Sequence, residues 1–225
     1  MSGPTLRVLI ETGSKRTFAC ALDRTGLARS GKTEAEAIEA VVAALSRYAS
    51  VAVAAGLGFQ TGASAADVEI VERVPGNATT DFGAPGVVGE ADRRPMTAAE
   101  AGREAALLEA AWAVFDRIAA VAPEELRKGP RGGGRDRSTI VSHVEDAERA
   151  YAGVMGIPGA GTRSMLELHG AMLEDIGRAS DGSPLGGKRW PTRYAARRVA
   201  WHVLDHAWEI EDRSDDAPIA PVAAR

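Results

Sequence analysis

Cysteine is nearly absent: Cys20 is the only one among 225 residues. That excludes an internal disulfide framework, and its place in an alternating apolar run marks it as a small buried hydrophobe of a reducing compartment. Long hydrophobic runs are missing too. The most apolar stretch, around Val51 to Phe59, is too short and too glycine-rich to span a bilayer. No basic segment leading into an apolar core opens the chain, so a cytoplasmic protein without membrane contact is expected. Positive charge is in deficit, with 27 Lys and Arg against 31 Asp and Glu. Non-specific affinity for nucleic acid comes mainly from accumulated basic side chains, so nucleic acid is not the expected partner. Histidine is sparse as well, and the positions of the four that exist carry most of the functional argument.

What is present divides at a change of composition. Residues 6–23 alternate on either side of Thr-Gly-Ser-Lys and predict a hairpin. Thr33 and Glu36 form a T-x-x-E capping box ahead of Ile38, Val41, Leu45 and Tyr48 at helical spacing, which predicts a helix over 34–49. The run 51–66 reads either as a short buried strand or as loop, and 67–74 alternates as a third strand. Residues 1–75 are therefore expected to form a small α+β domain. Its approach to the helix, Gly26 and then Gly31-Lys32-Thr33 into Glu34-Ala35-Glu36-Ala37-Ile38, follows the pattern G-x4-G-x-T-x-x-E-A and resembles the HicB-like antitoxin fold. The resemblance implies a small antiparallel sheet with one helix, serving as a structural or interaction module. The DNA reader that this family often adds has no counterpart in the chain.

Residues 76–96 turn to Gly, Pro, Asn, Thr and charges without periodicity, the composition of a linker. Beyond it, Thr97 and Glu100 make a second capping box, and Ala101, Ala105, Leu108, Ala111, Trp112, Phe115 and Ile118 trace a first helix. The basic, glycine-rich stretch Arg127 to Arg137 reads as a solvated connection; the alternative is that its arginines hold a ligand carboxylate. Ser138 or Thr139 is expected to cap a second helix, and Ser164 with Glu167 to box a third. Trp190 to Arg213 predicts a fourth, with Pro191 at its first helical position. Four helices joined by loops of roughly ten residues predict an all-α antiparallel four-helix bundle over 97–213, followed by a C-terminal tail, 214–225.

On the fourth helix Ala195, Val199, His202, Val203, His206 and Ile210 fall on one core-facing stripe. Imidazoles at i, i+4 can reach one cation at about 2.0–2.1 Å. His143, on the inward face of the second helix, supplies a third donor, whereas His169 on the third helix reads as a hydrogen-bonded core histidine. His143, His202 and His206 are thus the candidate ligands of a divalent transition metal, zinc first and nickel or iron behind it. Asp146, one turn from His143, is the candidate to orient that ring. Opposite the histidines, Tyr194, Trp201, Leu204 and Trp208 form a second apolar stripe, which is expected to pack on the N-terminal unit or, in a homodimer, on a second subunit.

A histidine within Ser-His-Val-Glu-Asp-Ala-Glu-Arg, followed by an H-x3-H pair on the last helix, resembles the DinB/YfiT-like superfamily of metal-binding four-helix bundles. The resemblance spans residues 97–213 and implies one ligand from the second helix and two from the fourth. It also implies an S-transferase or isomerase that uses mycothiol or bacillithiol, with a small-molecule substrate or thiol as partner; no catalytic side chain is assigned. Arg197, Arg198 and the arginine-rich loop would then anchor the carboxylate or sugar of the thiol. Two alternatives use the same residues: a hydrolase working through metal-bound hydroxide, and a regulatory or interaction protein in which the metal is structural.

Overall fold

The computed structural model describes residues 5–58, 63–128 and 134–214. Strands β1 (Leu6–Thr12) and β2 (Thr17–Ala21) form the expected antiparallel hairpin. A strand not foreseen, β3 (Ala28–Gly31), adds antiparallel to β2, and β4 (Val68–Pro75) lies parallel to β1, giving the order β3-β2-β1-β4. The sheet is therefore mixed and four-stranded, where a purely antiparallel one was expected. The reason is the connection: the chain leaves the hairpin edge, crosses the sheet through helices, and re-enters beside β1 in the same direction. Those helices are α1 (Glu34–Ala43) and α2 (Leu45–Ala54), bent by 49° in place of the single helix predicted over 34–49. Thr33 caps α1 by accepting from the Glu36 N–H. The bend at Ala44 lets Ala37 and Val41 and then Leu45, Tyr48 and Val51 all face the core. The first part of the ambiguous run is thus helix to Ala54, while residues 59–62 of it lie outside the described residues. No single helix among the described residues is long and apolar enough to cross a membrane; α1 and α2 reach that apolarity only jointly, as core helices.

The two glycines of the 26–37 motif have steric roles. Gly26 sits at φ 86°, and a Cβ there would lie 2.7 Å from the Ala200 Cβ of the last helix. At Gly31 an added Cβ would meet the Glu36 Cβ at 2.4 Å. The motif therefore lets the β2–β3 turn and the start of α1 close down on their neighbours.

The C-terminal part holds α4 (Ala98–Val121), α5 (Arg137–Met155), α6 (Met165–Ile176) and α7 (Thr192–Arg213), and α7 packs against the other three. The capping boxes Thr97/Glu100 and Ser164/Glu167 both form. Two helix starts differ from expectation by a residue or two. Pro191 is the N-cap of α7, and α5 begins at Arg137, because Ser138 donates to Glu124 instead of capping its own helix.

Two features join the halves, whose buried apolar residues form one large cluster and a smaller one around Trp201. First, the second apolar stripe of α7 packs on the N-terminal sheet, as one of its two expected alternatives has it. Trp201 is buried with Leu9, Phe18, Cys20 and Ala28, its ring edge-on to Phe18 at 6.0 Å, and the Arg29 guanidinium lies 4.0 Å above the Trp208 ring. Second, residues 76–96, linker-like in composition, are ordered and tied down. They form α3 (Ala78–Phe82), capped by Asn77, and a 3-10 turn at Ala91–Arg93. The buried Glu11 carboxylate accepts from Thr80 Oγ1, from Gly86 N at 2.9 Å and from Val87 N at 3.1 Å. Glu72 accepts from Glu90 N and Ala91 N, both at 2.9 Å. Backbone N–H groups that a glycine- and proline-rich loop cannot pair with itself are thus paired by carboxylates from the sheet.

Candidate metal centre

Helices α5 and α7 bring His143, His202 and His206 together. One ligand atom from each lies within 4.8 Å of the other two, and ring centroids are 4.6 Å (His202 to His206), 4.9 Å (His143 to His206) and 5.2 Å (His143 to His202) apart. Nitrogens sharing an ion at 2.0–2.1 Å are at most about 4 Å apart, so small ring rotations complete such a shell. His202 and His206 are 7% and 8% exposed, in line with their stripe. His143 differs from the inward placement expected of it: it is exposed, because the cluster sits at the edge of the helices and opens on the α5 side.

Burial and the neighbouring histidines favour the neutral form of His202 and His143, the state in which imidazole has a lone pair to give. His202 is pushed down to about 2, by burial first and then by His206, Arg198 and His143. His143 is lowered too, mainly by desolvation and by His206. His202 Nδ1 is buried without a hydrogen-bond partner among the described residues, an acceptor or donor left over for a ligand. His206 is oriented by a carboxylate that the sequence reading missed: its Nδ1 lies 2.7 Å from Glu209 Oε2. With the proton on Nδ1, that contact leaves Nε2 free to coordinate. Glu209 is held in turn by Arg213 at 2.9 Å and Arg135 at 3.3 Å, and the hydrogen bond from His206 lowers its pKa to about 2. The H-x-x-E spacing from 206 to 209 was the available signal, since residues three apart share a helix face. Asp146, proposed for this role, is exposed and acts on His143 only through its field.

The remaining candidates separate cleanly. His169 stands apart from the cluster: its Nε2 is 2.9 Å from the buried Glu148, and its ring stacks on Trp112 at 3.8 Å. It is hydrogen-bonded as expected, but half-buried rather than in the core. Within the connection Arg127 to Arg137, residues 129–133 lie outside the described residues; at its ends Arg127 bonds to the end of α7, Arg135 to Glu209 and Arg137 to Glu124. Arg197 is claimed from inside the protein, because Asp92 takes its Nε and Nη2 and the Val87 carbonyl accepts from Nη2 as well. Cys20 is buried and its thiol is pushed up to about 12 by desolvation, so it supplies no thiolate.

A pH dependence follows. The folded pKa of His202 is depressed below its ordinary 6.5, so below about pH 6.5 the unfolded chain takes up a proton that the folded chain refuses. Stability is then full above that pH and falls as pH drops, by up to about 1.4 kcal/mol per unit for each such histidine. Urea unfolding of chelator-treated protein at about pH 7 and pH 5 should show this loss, and His202→Gln should reduce it. Identical pH slopes in the two proteins would mean that His202 is not held neutral.

No family model, curated protein or solved structure matches the chain, so the centre is judged on its own geometry.

Proposed function

We propose that α4 to α7 form a DinB-like four-helix bundle and that the protein is a metal-dependent S-transferase or isomerase using a low-molecular-weight thiol. The observation that carries this reading is the convergence of three histidines from α5 and α7, two of them buried. An all-nitrogen donor set suits zinc first, with nickel or iron behind it. Three protein ligands are the count of catalytic rather than structural zinc sites, and the exposed edge at His143 gives access. Bound there, the metal would act as a Lewis acid and lower the pKa of a thiol or water that reaches it.

The chain's own residues then have defined tasks. Glu209 fixes the His206 ring and its tautomer, while Arg135 and Arg213 keep Glu209 ionised and in place. Tyr151 packs edge-on to His202 at 5.5 Å and walls the centre on one side. The only cysteine is buried in the sheet, which leaves the sulfur nucleophile to come from outside as mycothiol or bacillithiol. The N-terminal unit, read as HicB-like, serves in this scheme as the support on which α7 is held.

The test is an assay of zinc-loaded protein against electrophilic substrates with mycothiol, bacillithiol or glutathione. Turnover should require both zinc and thiol, vanish in His206→Ala, and fall about 10- to 100-fold in Glu209→Gln. Turnover equally fast without thiol would replace this reading with a hydrolase. Stoichiometric zinc without thiol binding or turnover would make the centre structural, in a regulatory or interaction protein.

A further inference from the structure

Arg197 and Arg198 are neighbours on α7 and both are buried, at 7% and 8% exposure, but their surroundings differ completely. Arg197 makes a two-pronged pair with Asp92 and donates to the Val87 carbonyl. Arg198 has no carboxylate and no hydrogen bond among the described residues, and its Nη1 is buried without a partner. Its contacts are to ring faces: the guanidinium carbon lies 4.8 Å from the Trp201 centroid and 5.3 Å from that of Tyr151. A buried, unpaired guanidinium is costly, and a protein that keeps one has a use for its charge.

Arg198 lines a cleft of about 360 Å³ whose other walls include Trp190, Tyr194, Arg189 and the loop residues Gly86 and Val88. No carboxylate among the described residues lines it. The cleft adjoins the histidine cluster: Arg198 is one helical turn before His202, and Tyr151 touches both sides, 5.3 Å from the Trp190 ring and 5.5 Å from that of His202. Two arginines and two aromatic walls make a site for a molecule with an anionic end and an apolar or aromatic body.

We propose that this cleft binds the substrate as an organic anion, with Arg198 receiving its carboxylate or sulfonate group and Trp190 and Tyr194 packing against its apolar body. Arg198 is thus a binding and specificity residue, and the 86–88 loop, held by Glu11, forms part of the substrate site. The proposal rests on the metal-centre reading only for where the reacting end of the substrate lies; the anion site itself does not need it.

The absence of a hydrogen-bond or carboxylate partner for Arg198 among the described residues makes the test selective. Removing an arginine that balances a buried acid destabilises a protein, whereas removing an unpaired one does not. Binding of phenylacetate, phenylacetamide and acetate would be measured by calorimetry and tryptophan fluorescence, with zinc content and thermal midpoint recorded on the same samples. The wild type should bind phenylacetate at least tenfold more tightly than either the uncharged amide or the ringless acetate. Arg198→Gln should lose at least tenfold in phenylacetate affinity while its thermal midpoint stays unchanged or rises, and Arg189→Gln, at the exposed rim, should lose a few-fold. Equal affinity for phenylacetate and phenylacetamide, or undiminished phenylacetate binding in Arg198→Gln, would overturn the proposal whether or not zinc binds. If wild-type protein binds phenylacetate through Arg198 but takes up no zinc, the metal reading fails and the anion site stands.

Discussion

Zinc added to chelator-treated protein should raise its thermal midpoint, and His202→Ala should abolish that response together with stoichiometric metal. A ligand that binds only the folded state stabilises it by about 2.7 kcal/mol at a hundredfold excess over its Kd. For a chain of this size each kcal/mol moves the midpoint by about 2–4 °C, so the expected rise is about 5–11 °C. His202 is the ligand of choice for this test because it is the most deeply set of the three and its Nδ1 has no other partner among the described residues. Truncating it disturbs no hydrogen bond among the described residues, and the metal-free variant can serve as its own baseline. Zinc uptake in His202→Ala equal to wild type would remove this residue from the centre. Glu209→Gln should keep part of the response, because it loosens the His206 ring without deleting a donor.

The parts of this centre that could be read in the sequence are those governed by a single helix. His202 and His206 share a face because four residues make about one turn, and the apolar residues around them show which way that face points. His143 could be added because it too lay on a periodic segment; its exposure could not, since that depends on how far α5 overhangs α7. The residues that escaped are those whose partners are remote in sequence. Arg197 and Arg198 look interchangeable as adjacent arginines, yet the acid that claims one of them is Asp92, 105 positions away in a glycine- and proline-rich stretch. That stretch has no periodicity because its backbone is satisfied by Glu11 and Glu72 from the sheet rather than by its own ladder. Strand β3 was missed for a related reason: only Ala28 of its four residues is buried, so the edge strand lacks the alternation that marked β1. The bend between α1 and α2 falls at Ala44, among good helix formers, where neither Gly nor Pro announces a break.

The largest single loss of stability is expected at Asp92, a residue remote from the histidines. Asp92 is 1% exposed, and its two oxygens take Nε and Nη2 of Arg197 at 2.7 Å each, while Gly89 N donates to it at 2.8 Å. Burial disfavours the charge on Arg197, but the Asp92 pair outweighs that penalty and raises its pKa. Asp92→Ala would leave the guanidinium buried with the Val87 carbonyl and the Tyr194 ring face but no counter-charge, and breaking one side of such a pair costs about 3–5 kcal/mol. Replacing both residues together, as Asp92→Ala with Arg197→Met, should recover much of that loss, because no uncompensated charge remains. Urea denaturation of the two single variants and the double variant measures the coupling directly. A loss below about 1 kcal/mol in Asp92→Ala would mean the pair is not desolvated as described. The same series separates support from function. Asp92 and Arg197 fasten the 86–93 segment to α7, so Asp92→Ala should weaken phenylacetate binding in the cleft by loosening its Gly86–Val88 wall. The His143, His202 and His206 cluster is built from α5 and α7 alone, and below its melting temperature Asp92→Ala should still take up zinc one to one. Loss of zinc in a folded Asp92→Ala protein would show instead that the sheet-side segment holds the histidines in register.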